Sequence, residues 1–120
     1  MMLVEIKFRY KETLINKGIA LKSMCEHHFM PFVGKATIAY IPNKKVIGLS
    51  KLNRLVDYFS RRPQIQERLT IQIHSKLVEI LKTEDVKVEI KAEHFCIKMR
   101  GVNQDATSTK TTMQSGIFKN

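Results

Sequence analysis

The spacing of the hydrophobic residues changes twice along this chain, and this change limits the folds that it can adopt. Residues 3–10 (LVEIKFRY) alternate apolar and charged side chains, which is typical of a half-buried strand. From Ser50 the apolar residues recur at helical spacing, and from Val86 they alternate again. This order of strands, helices and strands predicts an α+β fold, with an antiparallel sheet covered by two helices.

The strand segments are separated by residues that favour turns. NKG (16–18) predicts a turn into a second strand that continues through Met24. The β-branched run VGKATIAYIP (33–42) predicts a strand that stops at the proline, and IPNKKVIG then forms a connection. Residues 86–93 alternate strictly and predict the clearest strand. A loop and a final Thr-rich strand complete the chain.

Two amphipathic helices are predicted in the middle of the chain. The first has Ser50 near its N-cap and an apolar stripe at i, i+3, i+4 and i+7, formed by Leu52, Leu55, Val56 and Phe59. Pro63 fits the first turn of the second helix. The stripe of that helix consists of Ile65, Leu69, Ile73, Leu77 and Leu81.

Composition narrows the class of protein. A chain of 120 residues with 43% hydrophobic and 27% charged residues suggests one globular domain. It has no apolar run of about 20 residues and no signal-peptide core, and two cysteines are too few for a disulfide framework. A reduced, cytoplasmic setting is therefore expected. The net charge of +10 favours an anionic partner, although for scattered lysines a solvated basic surface is the simpler explanation.

Both cysteines and three of the four histidines lie in two short motifs, CEHHF and EHFC. Cys25, His28 and Cys96 could supply two sulfurs and one nitrogen to a zinc ion that keeps an open position. His27 and His94 would then remain, and unligated imidazoles suit proton transfer near neutral pH. A single cysteine or histidine is more often a buried structural residue, but the concentration of both types favours a metal site.

The segment GLSKLNR could form an anion site. Ser50 lies at a helix start with Lys51 and Arg54 close by, so free backbone N–H groups, the helix dipole and two cations would act together, and Arg100 could add another cation. Residue chemistry alone favours an ordinary capped helix with solvated cations. Glu67 could likewise accept hydrogen bonds from a guanine, but a surface carboxylate is favoured from sequence chemistry alone.

Three longer segments resemble, in order, the signatures of the GTP cyclohydrolase I family. They are SMCEHHFMPFVGKATIAYIP, VIGLSKLNRLVDYFSRRPQIQERLT and AEHFCIKMRGV, and the tail DATSTKTTMQSGIF is similar too. The resemblance runs from about Ser23 to Phe118. It implies the tunnelling fold (T-fold), in which subunits join their sheets into a barrel and two pentameric rings stack into a homodecamer. Residues 1–120 would be a single catalytic domain without the family's usual N-terminal helical region.

The resemblance also implies a reaction and its residues. Family members use zinc to hydrolyse GTP to 7,8-dihydroneopterin triphosphate and formate, the first step of folate and pterin biosynthesis. The zinc ligands would be Cys25, His28 and Cys96. The proton-transfer residues would be His27 and His94. The triphosphate positions would be Ser50, Lys51, Arg54 and Arg100, and the guanine positions would be Gln66 and Glu67.

Three other functions fit parts of the sequence. One is a sibling tunnelling-fold enzyme that acts on another purine or pterin. Another is a basic nucleic-acid-binding module with a structural zinc, but the aromatic residues are not interleaved with the cations as a stacking surface requires. The last is a catalytically weak chain that serves as a subunit or binding protein. The resemblance favours GTP as the partner, with no nucleic acid and no membrane.

Overall fold

Strands and helices follow one another in the predicted order. The computed structural model describes residues 3–5, 10–27, 29–94 and 108–119. The first half contains β1 (Leu3–Glu5), β2 (Leu14–Cys25), β3 (Pro31–Tyr40), β4 (Lys45–Ile47) and helix α1 (Leu49–Ser60). The second half contains β5 (Pro63–Gln64), helix α2 (Gln66–Leu81), β6 (Val86–His94), β7 (Thr109–Gln114) and a 3₁₀ helix (Gly116–Phe118).

The main sheet has the strand order β5-β2-β3-β6-β7. Strands β2, β3, β6 and β7 are antiparallel to their neighbours, whereas the short β5 runs parallel to β2. Strands β1 and β4 form a separate antiparallel pair. Helix α1 packs against β2, and α2 packs against β6 and β7. Both helices therefore cover one face of the sheet, as the sequence predicts.

The hydrophobic core lies between that face and the helices. Alternate residues of β3 and β6 are buried, namely Phe32, Ala36, Ile38, Tyr40, Val86, Val88, Ile90 and Ala92. Against them lie Leu52, Leu55, Val56, Leu69, Ile73, Leu77 and Leu81, all from the predicted helical stripes. The other two stripe residues, Phe59 and Ile65, are half-buried. Burying each large aliphatic side chain contributes about 1.5–3 kcal/mol, so this interface dominates the stability. No helix in the described part of the chain is both long and apolar enough to cross a bilayer.

The predicted turn at NKG is wrong, because β2 runs through these residues without a break. The pairing of Asn16 with Ile38 is followed by that of Ile19 with Ala36, so β2 contains one extra residue at this point. Gly18 has φ +74°, a left-handed conformation that glycine adopts without steric cost. The segment is therefore a β-bulge, which turn-forming residues also favour.

The predicted starts of both helices also need correction. Pro63 does not begin α2, because it pairs with Met24 in the parallel β2–β5 ladder, and α2 starts three residues later. Helix α1 begins at Leu49 with Gly48 as its N-cap, which places Ser50 inside the first turn. The connection before α1 also contains β4, which the sequence did not indicate. Each error is an error of boundary, in a segment where pairing with another strand outweighs local preference.

Candidate active site

The CEHHF motif begins as β2 ends and reverses the chain in a tight turn. The Phe29 N–H donates to the Cys25 carbonyl oxygen at 2.8 Å, and the Cys25 N–H donates to that of Met30 at 2.8 Å. Phe29 has φ +53°, a left-handed conformation that costs a non-glycine residue about 1–3 kcal/mol. Cys25 is half-buried at the base of this turn, whereas His27 is exposed. Such strain is found where the surrounding structure holds a segment in one shape.

Two residues that the sequence did not single out hold the turn against the start of α2. The Glu26 N–H donates to the Gln64 carbonyl oxygen at 2.9 Å, and the Arg68 guanidinium donates to the Glu26 carboxylate at 2.7 Å. Arg68 also donates to the side-chain oxygen of Gln64 at 3.1 Å. The hydrogen bond from Arg68 lowers the pKa of Glu26 below its usual value. No sequence signal links residues that lie 42 positions apart.

His94 is the last residue of β6 and is held from two sides. Its ring stacks on Phe32, its partner across the β3–β6 ladder, with 4.7 Å between the ring centroids and an interplanar angle of 12°. Its Nε2 lies 2.6 Å from Oε1 of Gln66, the first residue of α2. Burial lowers the pKa of His94, and the charge of Glu67 opposes that shift in part. The imidazole is therefore oriented by the fold itself.

The turn, the end of β6 and the start of α2 meet at one end of the sheet. Phe32 pairs with Ser23 on one side and with His94 on the other, so these three residues share the helix-facing side. Cys25 lies two residues beyond Ser23 and points to the same side. We call this region the histidine end; it comprises Cys25, His27, Gln66, Glu67 and His94.

Two of the predicted phosphate-binding cations, Lys51 and Arg54, lie along a groove between the two helices. The groove has a volume of about 390 Å³, and the residues that line it are Lys51, Arg54, Leu55, Tyr58, Phe59 and Lys76. We call it the cation groove. Lys76 comes from α2 and was not predicted, because one more lysine on a helix carries no sequence signal. Its ammonium lies 3.4 Å from the Glu79 carboxylate.

Within one chain, the start of α1 lies far from the histidine end. The Ile47 N–H donates to Oη of Tyr40 at 3.2 Å, which fixes the start of α1 beside the last residue of β3. His94 pairs with Phe32 near the first residue of β3. Phe32 and Tyr40 are eight residues apart on β3, or about 26 Å at roughly 3.3 Å per residue. Ser50 and Lys51 therefore do not meet His94 in a single copy.

Three predicted site residues, His28, Cys96 and Arg100, lie outside the described residues. Within the described ranges, no three His, Cys, Asp or Glu side chains are grouped closely enough to hold a metal ion, and Cys25 is the one predicted ligand among them. The complete set of two thiolates and one imidazole is chemically suited to zinc. The ligand set, the proton-transfer residues and the residues assigned to the triphosphate and the guanine all stay predictions.

Comparison with known proteins identifies the family. The model of the family described as GTP cyclohydrolase I matches residues 1–120. The chain belongs to the GTP cyclohydrolase I family. It is 52% identical over 116 residues to the GTP cyclohydrolase 1 of Aeromonas hydrophila, with 97% of this chain and 53% of that protein aligned. It is 51% identical over 109 residues to that of Clostridium kluyveri, with 91% and 59% aligned. The chain thus spans a little over half the length of these relatives.

A solved structure supports the predicted fold. The archaeosine synthase QueF-Like, in its apo form, aligns with 92% of this chain and 97% of its own, with a TM-score of 0.70 and 19% sequence identity. At this identity the similarity concerns the fold alone. Together with the helix-covered antiparallel sheet, it confirms the α+β tunnelling fold that the family resemblance implied.

Proposed function

We propose that this chain is the catalytic part of a zinc-dependent GTP cyclohydrolase I, which hydrolyses GTP to 7,8-dihydroneopterin triphosphate and formate. The family match supports the reaction class. The observation that carries the proposal is His94, which is held by Phe32 and Gln66 on the sheet face to which Cys25 also points. This imidazole and this thiol would supply the proton-transfer group and the thiol ligand that the chemistry requires.

In this proposal Cys25, His28 and Cys96 would hold zinc, which would lower the pKa of a water molecule so that a hydroxide nucleophile could form near neutral pH. Cys25 fits this role, because it is half-buried at the base of a hydrogen-bonded turn. Arg68 and Glu26 would keep that turn in place when the substrate enters. His27 and His94 would exchange protons with the opening ring.

Substrate recognition would divide between the two regions. Glu67 is exposed at the first turn of α2, so its carboxylate is free to accept the guanine N1–H and amino group. Lys51 and Arg54 would bind the triphosphate, together with Ser50 at the α1 N-terminus and Arg100, because cations and free helix N–H groups attract phosphate. Holding both ends of GTP would orient the purine for attack.

We also propose that a complete site needs more than one copy of the chain. The start of α1 and the histidine end lie at opposite ends of one sheet, so one GTP cannot contact both within a single copy. A second copy with its α1 next to the first copy's histidine end would complete the site. Such head-to-tail contacts close into rings, which agrees with the predicted pentamers and decamer.

The reaction is tested by incubating the pure protein with GTP and zinc while formate and pterin fluorescence are followed. Release of both products supports the proposal, whereas zinc binding without formate release would favour a sibling enzyme with another substrate. The shared site is tested by mixing His94→Ala chains with Lys51→Ala chains after mild dissociation. Random reassembly should restore up to about a quarter of the parental kcat/KM, measured at GTP concentrations well below the parental KM, where both variants alone are nearly inactive. No recovery in assembled mixtures would place both regions in the same copy.

A further inference from the structure

The side chain of Gln66 is almost completely buried, with 1% exposed, and lies between His94 and strand β7. Its Oε1 faces Nε2 of His94 at 2.6 Å. Its Nε2 faces the Thr109 carbonyl oxygen at 2.9 Å, Oγ1 of Thr111 at 3.2 Å and the Ile90 carbonyl oxygen at 3.3 Å. Every polar atom of this amide therefore has a partner within the chain.

These partners determine which way the amide is turned. Two of them are backbone carbonyl oxygens, which can only accept hydrogen bonds. The NH₂ group of Gln66 must face them, because the opposite orientation would place two oxygens 2.9 Å apart at Thr109. The amide oxygen therefore faces His94.

The orientation of the amide in turn determines the tautomer of the imidazole. The oxygen of Gln66 can only accept, so Nε2 of His94 must carry the proton and donate it. In the neutral ring Nδ1 is then the atom with the lone pair. Stacking on Phe32 fixes the plane of the same ring.

A second hydrogen-bond chain holds Gln66 itself. Oγ1 of Thr70 donates to the Gln66 carbonyl oxygen at 2.9 Å and lies 2.7 Å from Oγ1 of Thr111. Since the hydroxyl proton of Thr70 is donated to that carbonyl, the Thr111 hydroxyl donates to Oγ1 of Thr70 and accepts from the NH₂ group of Gln66. Helix α2 and strand β7 thus keep the amide in one orientation from both sides.

We propose that Gln66 is a positioning residue for His94: its amide oxygen accepts the Nε2 proton and, together with the stack on Phe32, holds the imidazole in one tautomer and one plane. This inference rests on the proposed function and refines it, because Gln66 would act through His94 instead of contacting the guanine. A neutral amide cannot take the proton itself. The proton therefore stays on Nε2, and the ring keeps the orientation that Gln66 and Phe32 give it.

The first test is read from the unaltered protein, and a substitution is used only to assign the signal. In zinc-loaded protein with ¹⁵N-labelled histidine, the signal of His94, assigned by its absence in His94→Ala, should show the neutral ring protonated on Nε2. A ring protonated on Nδ1 overturns the proposal. If the parent protein binds zinc but makes no formate, the proposed function fails, yet this spectrum still reports on the Gln66–His94 bond.

The second test compares Gln66→Met, which keeps the side-chain length but not the hydrogen bonds, with Ser115→Ala as the control. The control removes the hydroxyl that bonds His74 elsewhere on α2. We expect Gln66→Met to lower kcat about tenfold or more with little change in the KM for GTP, as for other partners that orient a catalytic group. Ser115→Ala should lower Tm and leave kcat unchanged. A raised KM with normal kcat, or a lowered Tm alone in Gln66→Met, overturns the proposal.

A double-mutant cycle gives the sharpest result. If Gln66 acts through His94, Gln66→Met should cost nothing further in a His94→Ala background. An equal loss of turnover in both backgrounds would show that Gln66 acts independently. Should Gln66→Met fail to fold, the histidine spectrum of the unaltered protein still decides the question.

Discussion

The histidine end and the cation groove are built in opposite ways. At the histidine end, His94 is stacked, half-buried and hydrogen-bonded, and the turn beside it is tied to α2 by Arg68. In the cation groove, neither Lys51 nor Arg54 makes an ion pair with any residue in the described ranges. The fold therefore orients the groups of the histidine end before any ligand binds. In the groove, Lys51 and Arg54 would gain an anionic partner only when a ligand binds. Changes in the first region should act on kcat and those in the second on KM.

The largest effect is expected for His94→Ala. Loss of a general acid–base group should lower kcat by at least about a hundredfold, while zinc content and the KM for GTP stay near the parental values. Metal analysis and turnover are to be measured on the same preparation. Cys25→Ser is the comparison, since removal of a ligand should remove zinc.

Equal loss of zinc in His94→Ala and Cys25→Ser would show that His94 is a ligand. Normal turnover with normal zinc would show that it is only a structural residue. His27→Ala should resemble His94→Ala, with some loss of metal because its neighbour His28 is a predicted ligand. Either contrary result would remove the distinction between the two regions.

A smaller effect is expected for Lys51→Ala and Arg54→Ala. Each loses a charge-assisted contact to phosphate, so the KM for GTP should rise about ten- to a hundredfold, equivalent to roughly 1.5–3 kcal/mol, with kcat little changed. Lys44→Ala removes the same charge from the exposed connection before β4 and should leave KM unaltered. Parental KM in both groove variants would mean that the cations are merely solvated. A steep salt dependence of oligonucleotide binding, lost in Lys51→Ala, would point to nucleic acid instead.

The smallest effect on turnover is expected at His74, a buried histidine on α2 that has no predicted role in the site. Its Nε2 lies 2.8 Å from Oγ of Ser115, and that hydroxyl donates to the Glu84 carbonyl oxygen. Ser115→Ala should therefore lower the free energy of unfolding by about 1–3 kcal/mol, the cost of leaving a buried polar group without its partner. Turnover at temperatures below unfolding should not change.

The stability that His74 contributes should depend on pH. Burial lowers its pKa below the ordinary value of about 6.5, outweighing the opposing effects of a backbone hydrogen bond with Val86 and the charge of Glu84. The unfolded chain then binds the proton more readily, so this contribution is complete above pH 6.5 and decreases as the pH falls toward the folded pKa. Tm measured from pH 7.5 to 5.5 should fall less in His74→Gln than in the parent. Parallel curves would contradict the assignment.

Much of this architecture could be predicted from the sequence, for reasons that differ between elements. The strict alternation over Val86 to Glu93 and the stripe ending at Leu81 depend only on burial of one face, which the spacing of apolar residues reports directly. The bulge at Gly18 and the short β5 depend on which strand lies alongside, and local residue preference contains no information about a distant neighbour. The order of elements was therefore correct where several of their boundaries were not.

The candidate site shows the same division. The residue types in CEHHF and EHFC indicate their chemistry wherever they lie, so Cys25, His27 and His94 could be singled out in advance. The bond between Gln66 and His94 spans 28 residues, and it depends on the register of β6 against β3 and on the start of α2. The family resemblance assigned Gln66 to the guanine, and only the packing shows that its amide already bonds His94 and β7.

The distance along β3 between Tyr40 and Phe32 has a consequence for how this protein responds to its own abundance. If the start of α1 in one copy completes the histidine end of another, a dissociated chain has no complete site. Dilution below the dissociation constant of the interface would then abolish activity by mass action. Turnover per chain then rises with protein concentration until association is complete. Under this proposal, the length of a single strand would make the rate per chain depend on the amount of protein.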